Sequence, residues 1–396
     1  MAAERTAADQ KAITERIVTE LRKQNVDAVL LTAADAVFYA TGFADRGLYR
    51  GGALGNAAAV VTKDGKVGLV VSEFSRHAAE ETVKNVDIVS YPTWIYIADY
   101  DNGKPKEVQP DLNKTYRLAL QFLPETSKKP RVAVQWQYLT YNAGEFLKSQ
   151  FGENSLVSAD KILVEARAIK TPYEIALLRE AAHYSELTMN RVAKAVVPGM
   201  TAADVTQLFN SIAYSFSSDV DAVSNAHTIG AHFTPYFIWP QARVNRGDLI
   251  RLDGGPNVRG YNSDLARTFA VGTETKKEWE ELYAHLWAGY DYAIHHIGPG
   301  VKFSDIFNGI HEVLKKRGFE GYIRGHQGHS LGCALAGEEY PFIAPGEHRV
   351  FEPGMVINIE MPYYSSKNQT YNIEDTLLIT ENGIDLFTHA SPSLYV

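Results

Sequence analysis

The sequence predicts an α+β chain of two domains, and three observations carry that reading. At 396 residues the chain is long enough for two domains. Residues 1–165 alternate short β-branched runs with helical segments, the pattern of an α/β domain on a mixed sheet. Residues 166–396 carry four helical patterns among strands that hold acidic residues where apolar ones belong.

In the first part, residues 8–24 read as an amphipathic helix, with Ile13, Ile17, Val18 and Leu21 on one stripe. VDAVLLT (26–32) reads as a buried strand. AAAVVT and VGLVVS read as two more, joined by a turn at Lys63-Asp64-Gly65. VDIVSYP and PRVAVQW continue the pattern. No glycine-rich phosphate loop follows a strand, so a nucleotide site is not expected. In the second part, Thr171-Pro172-Tyr173-Glu174 is a capping box with proline at the first helical position. Its helix carries Ile175, Leu178 and Ala182 at core spacing. Met200-Thr201 opens another after the Pro198-Gly199 break. Residues 279–297 give a third, with Leu282, Leu286 and Ala293 on a stripe. Ser304 is expected to cap a fourth, which carries Ile306, Ile310 and Val313 and stops at Gly318.

The chemistry concentrates in RGDLIRLDGGPNVRGYNSDLARTFAVG (246–272), which reads as a β-hairpin. Ile250 and Leu252 share one face of its first strand, and Leu249, Arg251 and Asp253 the other. Gly-Gly-Pro-Asn is expected to break that strand. The second run, 261–271, puts Asp264 with Ala266, Thr268 and Ala270. Two carboxylates therefore sit where a strand buries apolar groups, and burying both is costly through desolvation and mutual repulsion. Protons, cationic side chains or metal must neutralise them. A plainer arrangement is equally open on this stretch alone: one Asp in a turn, the other paired with Arg251 or Arg267. Three later segments add ligand-type residues in similar settings. GHSLG sets His329 between glycines. PGMVINIEMP puts Val356, Asn358 and Glu360 on one face. YNIEDTLLIT does the same for Asn372, Glu374, Thr376 and Leu378. Two Asp, one His and two Glu could hold two hard or borderline divalent ions, about 3.5–4 Å apart.

The order Asp, Asp, His, Glu, Glu resembles the pita-bread metallopeptidases: Xaa-Pro aminopeptidases, prolidases, methionine aminopeptidases and the metal-free creatinase. The matching pieces are LDGG, YNSDLARTF, GHSLG, PGMVINIEMP, IEDTLLITENG and an opening helix, EARAIKTPYEIALLREAA (165–182). The resemblance is continuous from about residue 165 to 390 and weaker before that. It implies a creatinase-like N-terminal domain over 1–165, then a catalytic domain over 166–396 with a curved antiparallel sheet and outer helices. It assigns Asp253 to one metal, Asp264 and Glu374 as bridges, and His329 and Glu360 to the other, with Glu360 also shuttling a proton. The implied reaction is amide C–N hydrolysis by a metal-bridging hydroxide, as in Xaa-Pro aminopeptidases or dipeptidases. The alternative is a creatinase-like hydrolase or lyase acting on a small non-peptide molecule. Oxygen-rich ligation suits manganese best, with cobalt, zinc and iron open.

His232, in GAHFTP, matches the segment around creatinase's catalytic histidine. The spacing to Gly247 requires an insertion, so Tyr236 and His227 stand as alternatives. The N-terminal domain of these enzymes often reaches a neighbouring subunit's site, which implies a homodimer here. FYATGFADRGLYRGG (38–52) is the segment that would reach, with Arg50 and Arg46 as candidate substrate-carboxylate binders. Solvated surface arginines are the competing reading. YPTWIYIADY (91–100) would pack at a dimer contact or cover a pocket.

Two departures bear on substrate. Proline-specific members carry a second histidine where this chain has Ala336, and an arginine where it has Asn372, which stands with Arg50 and Tyr236 as a candidate substrate contact. Glu338 or Glu339 could recruit a positively charged substrate group instead, against the plainer reading of solvated acids. The net charge of −8 and the lack of a basic cluster exclude a nucleic-acid footprint. The lone Cys333 excludes an intrachain disulfide framework and reads as a packing residue. With no apolar leader segment and no membrane-length apolar run, a cytoplasmic enzyme is the expectation.

Overall fold

The computed structural model describes residues 4–44, 55–94, 96–100, 111–124, 130–230, 232, 239–335 and 337–396. The chain divides into two units, one running to Arg167 and the other from Ala168 to Val396.

In the first unit six strands form one sheet. Their order across it is Asp87–Tyr91, Val67–Ser72, Ala58–Thr62, Ala28–Leu31, Val132–Val134, Leu156–Ser158. The sheet is mixed. Ala58–Thr62 runs antiparallel to both its neighbours, whereas Ala28–Leu31 pairs in parallel with Val132–Val134. Ala28–Leu31, Ala58–Thr62 and Val132–Val134 are buried at every residue, which requires cover on both faces. Helix Ala7–Lys23 buries Ile13, Ile17, Val18 and Leu21. Its start is fixed by a capping box between Thr6 and Asp9, and its last turn carries Arg22 and Lys23. Arg46 and Arg50 lie outside the described residues.

The second unit is built on a nine-stranded antiparallel sheet. Along its main path the order is Glu338–Phe342, Gly328–Leu331, Val356–Glu360, Glu374–Thr380, Leu265–Ala270, Leu249–Val258, Val220–Asn225. Helices Lys277–His296 and Phe303–Lys316 pack Leu286, Tyr290, Ala293, Ile306 and Ile310 into one core with Ile357, Ile359, Leu377 and Ile379. Alternation along the strands turns those residues to the helices and their neighbours to the opposite face. Thr171 and Glu174 form the capping box of helix Pro172–Ala195, with Pro172 in its first turn.

Two local expectations are corrected. The strand carrying Asp253 does not break at Gly-Gly-Pro-Asn but continues to Val258. Gly254 has φ +110°, and a Cβ there would lie 2.6 Å from the Ser224 carbonyl oxygen. A Cβ on Gly255 would lie 2.2 Å from Ser263 Oγ and 2.3 Å from Ser185 Oγ. The glycines therefore let the neighbouring strand and helix Pro172–Ala195 approach the backbone closely, and the strand runs on through them. Pro256 pairs with Val223, and its carbonyl accepts from Ser263 Oγ at 2.7 Å. The second correction concerns Ser304. It lies buried within the first turn of Phe303–Lys316, whose N-cap is Lys302 and has no side-chain cap bond. Gly318 follows that helix with φ +80°, the left-handed geometry of a helix stop.

Gly255→Ala is expected to destabilise the second unit by about 1–3 kcal/mol through overpacking. A lower urea midpoint for the transition of that unit would show it, and an unchanged midpoint would contradict the packing argument.

Candidate metal centre

Strand register assembles the carboxylates. Asp253 pairs with Ala266, Ala266 with Glu374, and Glu374 with Glu360. Three acidic residues therefore stand in one row across four strands, which lie about 4.8 Å apart in such sheets. Asp264, two residues before Ala266, shares the face of that row. On the next strand His329 pairs with Asn358, two residues before Glu360. The structure thus brings all five sequence candidates to one face.

His329 is 1% exposed, and its Nδ1 lies 3.0 Å from the Ser330 carbonyl. A carbonyl can only accept, so Nδ1 carries the proton in the neutral ring and Nε2 is left with a bare lone pair. Nε2 points at Glu374 Oε1, 3.6 Å away, and Asp264 Oδ2, 3.8 Å away. Donor atoms of Asp264, His329 and Glu374 all lie within 4.8 Å of one another. Asn358 secures this trio, donating through Nδ2 to Glu374 Oε1 at 2.9 Å and to the Asp264 carbonyl at 2.6 Å.

The outer two carboxylates have cationic partners. Arg251, fully buried, donates to Asp253 Oδ2 and, at 2.6 Å, to the Ala226 carbonyl. Of the simple pairings open in the sequence, Arg251 with Asp253 is the one that forms. Glu360 Oε1 accepts from Arg324 Nη2 at 2.8 Å, and His326 Nδ1 lies 3.3 Å from the same oxygen. Arg324 and His326 were not named from sequence. The basic run RGHQGH before the strand was the available signal, but nothing in it shows that Glu360, 36 positions beyond Arg324, is the partner.

The charge balance is unfavourable without cations. Burial, with the Glu374 and Asp253 carboxylates close by, holds the Asp264 carboxyl well above the usual range. Burial and the Glu360 and Asp253 charges do the same to Glu374. Asp253 is also raised by burial, although Arg251 opposes the shift. An oxygen-rich set with one correctly oriented imidazole and too little positive charge suits hard or borderline divalent cations.

The remaining candidates lie as follows. Asn372 is 1% exposed, with Nδ2 at 3.4 Å from Glu374 Oε2 and 3.5 Å from Asp253 Oδ2, and Oδ1 accepting from Met361 N. His232 is exposed, with its ring 5.0 Å from that of Trp239. Among the described residues no hydrogen bond or ion pair joins it to the carboxylates. His227 is buried, with Nε2 donating to the Ala202 carbonyl at 3.2 Å and Nδ1 lying against the side-chain amide of Asn225 at 2.8 Å. Tyr236 and Ala336 lie outside the described residues.

The model of metallopeptidase family M24 matches residues 176–381, just over half the chain. The chain belongs to metallopeptidase family M24. It is a metallohydrolase with the pita-bread fold, and membership implies divalent metal ions. The Creatinase/Prolidase N-terminal domain matches residues 14–169. An uncharacterized peptidase of Staphylococcus aureus (strain MW2) is 26% identical over 379 residues, covering 94% of this chain and 98% of that protein. A Xaa-Pro dipeptidase from Bacillus anthracis superposes with a TM-score of 0.78 at 19% identity, covering 99% of both chains. A prolidase from Pyrococcus horikoshii OT3 gives 0.74 at 22% identity, covering 96% of this chain and 98% of its own. Among the described residues no helix is long and apolar enough to cross a membrane.

His227 makes a pH prediction. Burial pushes it down to about 4 from its ordinary 6.5. The unfolded chain therefore binds the extra proton first as pH falls. Stability from this group is complete above about pH 6.5 and lost towards pH 4, to the extent of roughly 3 kcal/mol. In His227→Gln the thermal midpoint should fall less steeply over that window than in the parent. Parallel curves would contradict the assignment.

Proposed function

We propose that this chain is a dinuclear metal-dependent hydrolase that cleaves the amide C–N bond of small Xaa-Pro peptides. Asp253, Asp264, His329, Glu360 and Glu374 would hold the two ions, with Asp264 and Glu374 shared between them. Manganese is favoured by the oxygen-rich donors. The observation that carries the reading is the His329 lone pair directed at Glu374 and Asp264 beside a row of crowded carboxylates.

Bound divalent ions would supply Lewis acidity and a water acidic enough to ionise near neutral pH. The chain's own residues do the rest. Glu360 is the proton carrier, with its Oε1 oriented by Arg324 and His326. Asn358 and Asn372 hold the Glu374 carboxylate from two sides. His232 is proposed to donate to the developing tetrahedral centre or the leaving nitrogen. That role requires it to leave Trp239, since the described geometry does not place it there. Arg50 and Tyr236 are proposed substrate contacts, and a homodimer in the cytoplasm remains part of the proposal.

A second reading has an observation of its own. The Asn372 amide is used by Asp253, Glu374 and Met361, so it contributes structure at the site instead of a free substrate contact. A small non-peptide amide or amidine, cleaved by a hydrolase or lyase reaction, fits that change.

Hydrolysis of Xaa-Pro di- and tripeptides by manganese-loaded protein decides between them. Turnover on the order of 1–10³ per second supports the peptidase. No cleavage with two metals bound per chain moves the substrate to small amides. Asp264→Ala should lose metal and activity together. Full metal stoichiometry in that variant would remove the bridging role.

A further inference from the structure

Beside the carboxylate row, the edge strand Glu338–Phe342 opens onto a cavity of about 490 Å³ lined by His326, Glu338, Tyr340 and Phe342. It is a shallow, open depression, of a size to receive one side-chain group against its wall. Strand pairing shapes it. His329 pairs with Phe342, yet the next residue, Ser330, pairs with Glu339. Tyr340 and Pro341 are the surplus residues of this bulge, a device that re-aims side chains next to active sites.

The two adjacent glutamates take opposite roles. Glu339 turns inward. Its Oε1 accepts from Ala334 N at 2.9 Å, and its carboxylate fills the space where a Cβ on Gly332 would stand, 2.6 Å away. Glu338 turns outward with 45% of its side chain exposed, and His326 Nε2 lies 3.8 Å from its Oε2, beyond hydrogen-bond reach. Tyr340, 57% exposed, meets Phe342 edge to face at 4.7 Å. Phe342 lies 5.1 Å from the His326 ring and 6.3 Å from that of His329. The other acid in the lining, Glu347, is taken up by Arg349 through its backbone N–H at 3.0 Å. No lysine or arginine lines the cavity among the described residues.

The wall therefore combines an exposed carboxylate with aromatic rings, and His326 connects it to the reaction centre. One nitrogen of that ring faces Glu338, and the other lies 3.3 Å from Glu360 Oε1. A carboxylate beside ring faces is the chemistry that takes an ammonium group, by charge-assisted hydrogen bonding and by attraction to the ring quadrupole.

We propose that this cavity is a substrate subsite that binds a cationic group, an ammonium, between Glu338 and the Tyr340 and Phe342 rings. Its description as a substrate subsite rests on the reading of the carboxylate row as the reaction centre. The binding itself does not.

The test uses N-acetyl-L-lysinamide, which carries one ammonium, and N-acetyl-L-norleucinamide, which carries none. Both are titrated calorimetrically into the full chain loaded with manganese and into the chain as purified, since neither probe needs a metal to bind. The lysine probe should bind at least about tenfold more tightly, a difference of about 1.4 kcal/mol. Glu338→Gln should remove most of that preference, and Glu338→Lys should reverse it, with thermal midpoints confirming that both variants fold. Equal affinities in the parent, no binding of either probe, or a preference that survives both substitutions would overturn the subsite. Failure of the peptidase reading is separately visible. Lysine preference without Xaa-Pro cleavage removes the peptidase and keeps the subsite. Cleavage without lysine preference does the opposite.

Discussion

Four carboxylates crowded onto one face of a buried sheet are the constraint on which the second unit depends. The structure divides them into two kinds. The outer pair, Asp253 and Glu360, each have a guanidinium, from Arg251 and Arg324 respectively. The inner pair, Asp264 and Glu374, face the imidazole of His329, and the amides of Asn358 and Asn372 donate to Glu374, but among the described residues no guanidinium pairs with either. The raised proton affinity falls hardest on that inner pair. Like charges in a poorly solvated space need a counter-charge. The position of greatest need lies between Asp264, Glu374 and His329, where the donor atoms converge.

Holding such a row requires a rigid sheet behind it. Adjacent residues Glu374 and Asp375 show how the strand separates function from support. Glu374 faces the cluster. Asp375, on the other face and fully buried, accepts from Arg267 Nη2 at 2.6 Å, Thr388 Oγ1 at 2.6 Å and Ala390 N at 2.7 Å, and also from the Tyr290 hydroxyl. Arg267 in turn donates to the Glu374 carbonyl at 2.5 Å, so the same network fixes the backbone from which Glu374 projects. At the opposite end, the close approach at Gly254 and Gly255 brings Ser224, Ser185 and Ser263 against the strand just past Asp253. Paired charge on one face and tight packing at Gly254 and Gly255 are what hold the row in register.

Much of the fold and of the donor set was legible in the chain. Ile13, Ile17, Val18 and Leu21 showed the first helix by their spacing, and Thr171 with Glu174 showed where a long helix begins. Asp253, Asp264, Glu360 and Glu374 stood out because strand alternation put acids where apolar side chains belong. Gly-Gly-Pro-Asn misled because turn composition does not reveal a neighbouring strand close enough to demand glycine. Ser304 misled because a good capping residue one position inside a helix has the same local sequence as a cap. Arg324 and His326 were missed since they precede a strand and their partner, Glu360, comes from a distant one.

Alternation, capping and the order of acidic and imidazole side chains are local properties, and the sequence by itself determined them: an α+β chain with five candidate ligand residues on or beside strands of its second part. Register is not local. Only the paired strands decide that Glu374 stands between Ala266 and Glu360, that Arg251 takes Asp253, and that Glu338 faces a cavity while Glu339 is buried. Each depends on which residues of distant segments lie opposite one another. A shift of one residue would turn every side chain to the other face.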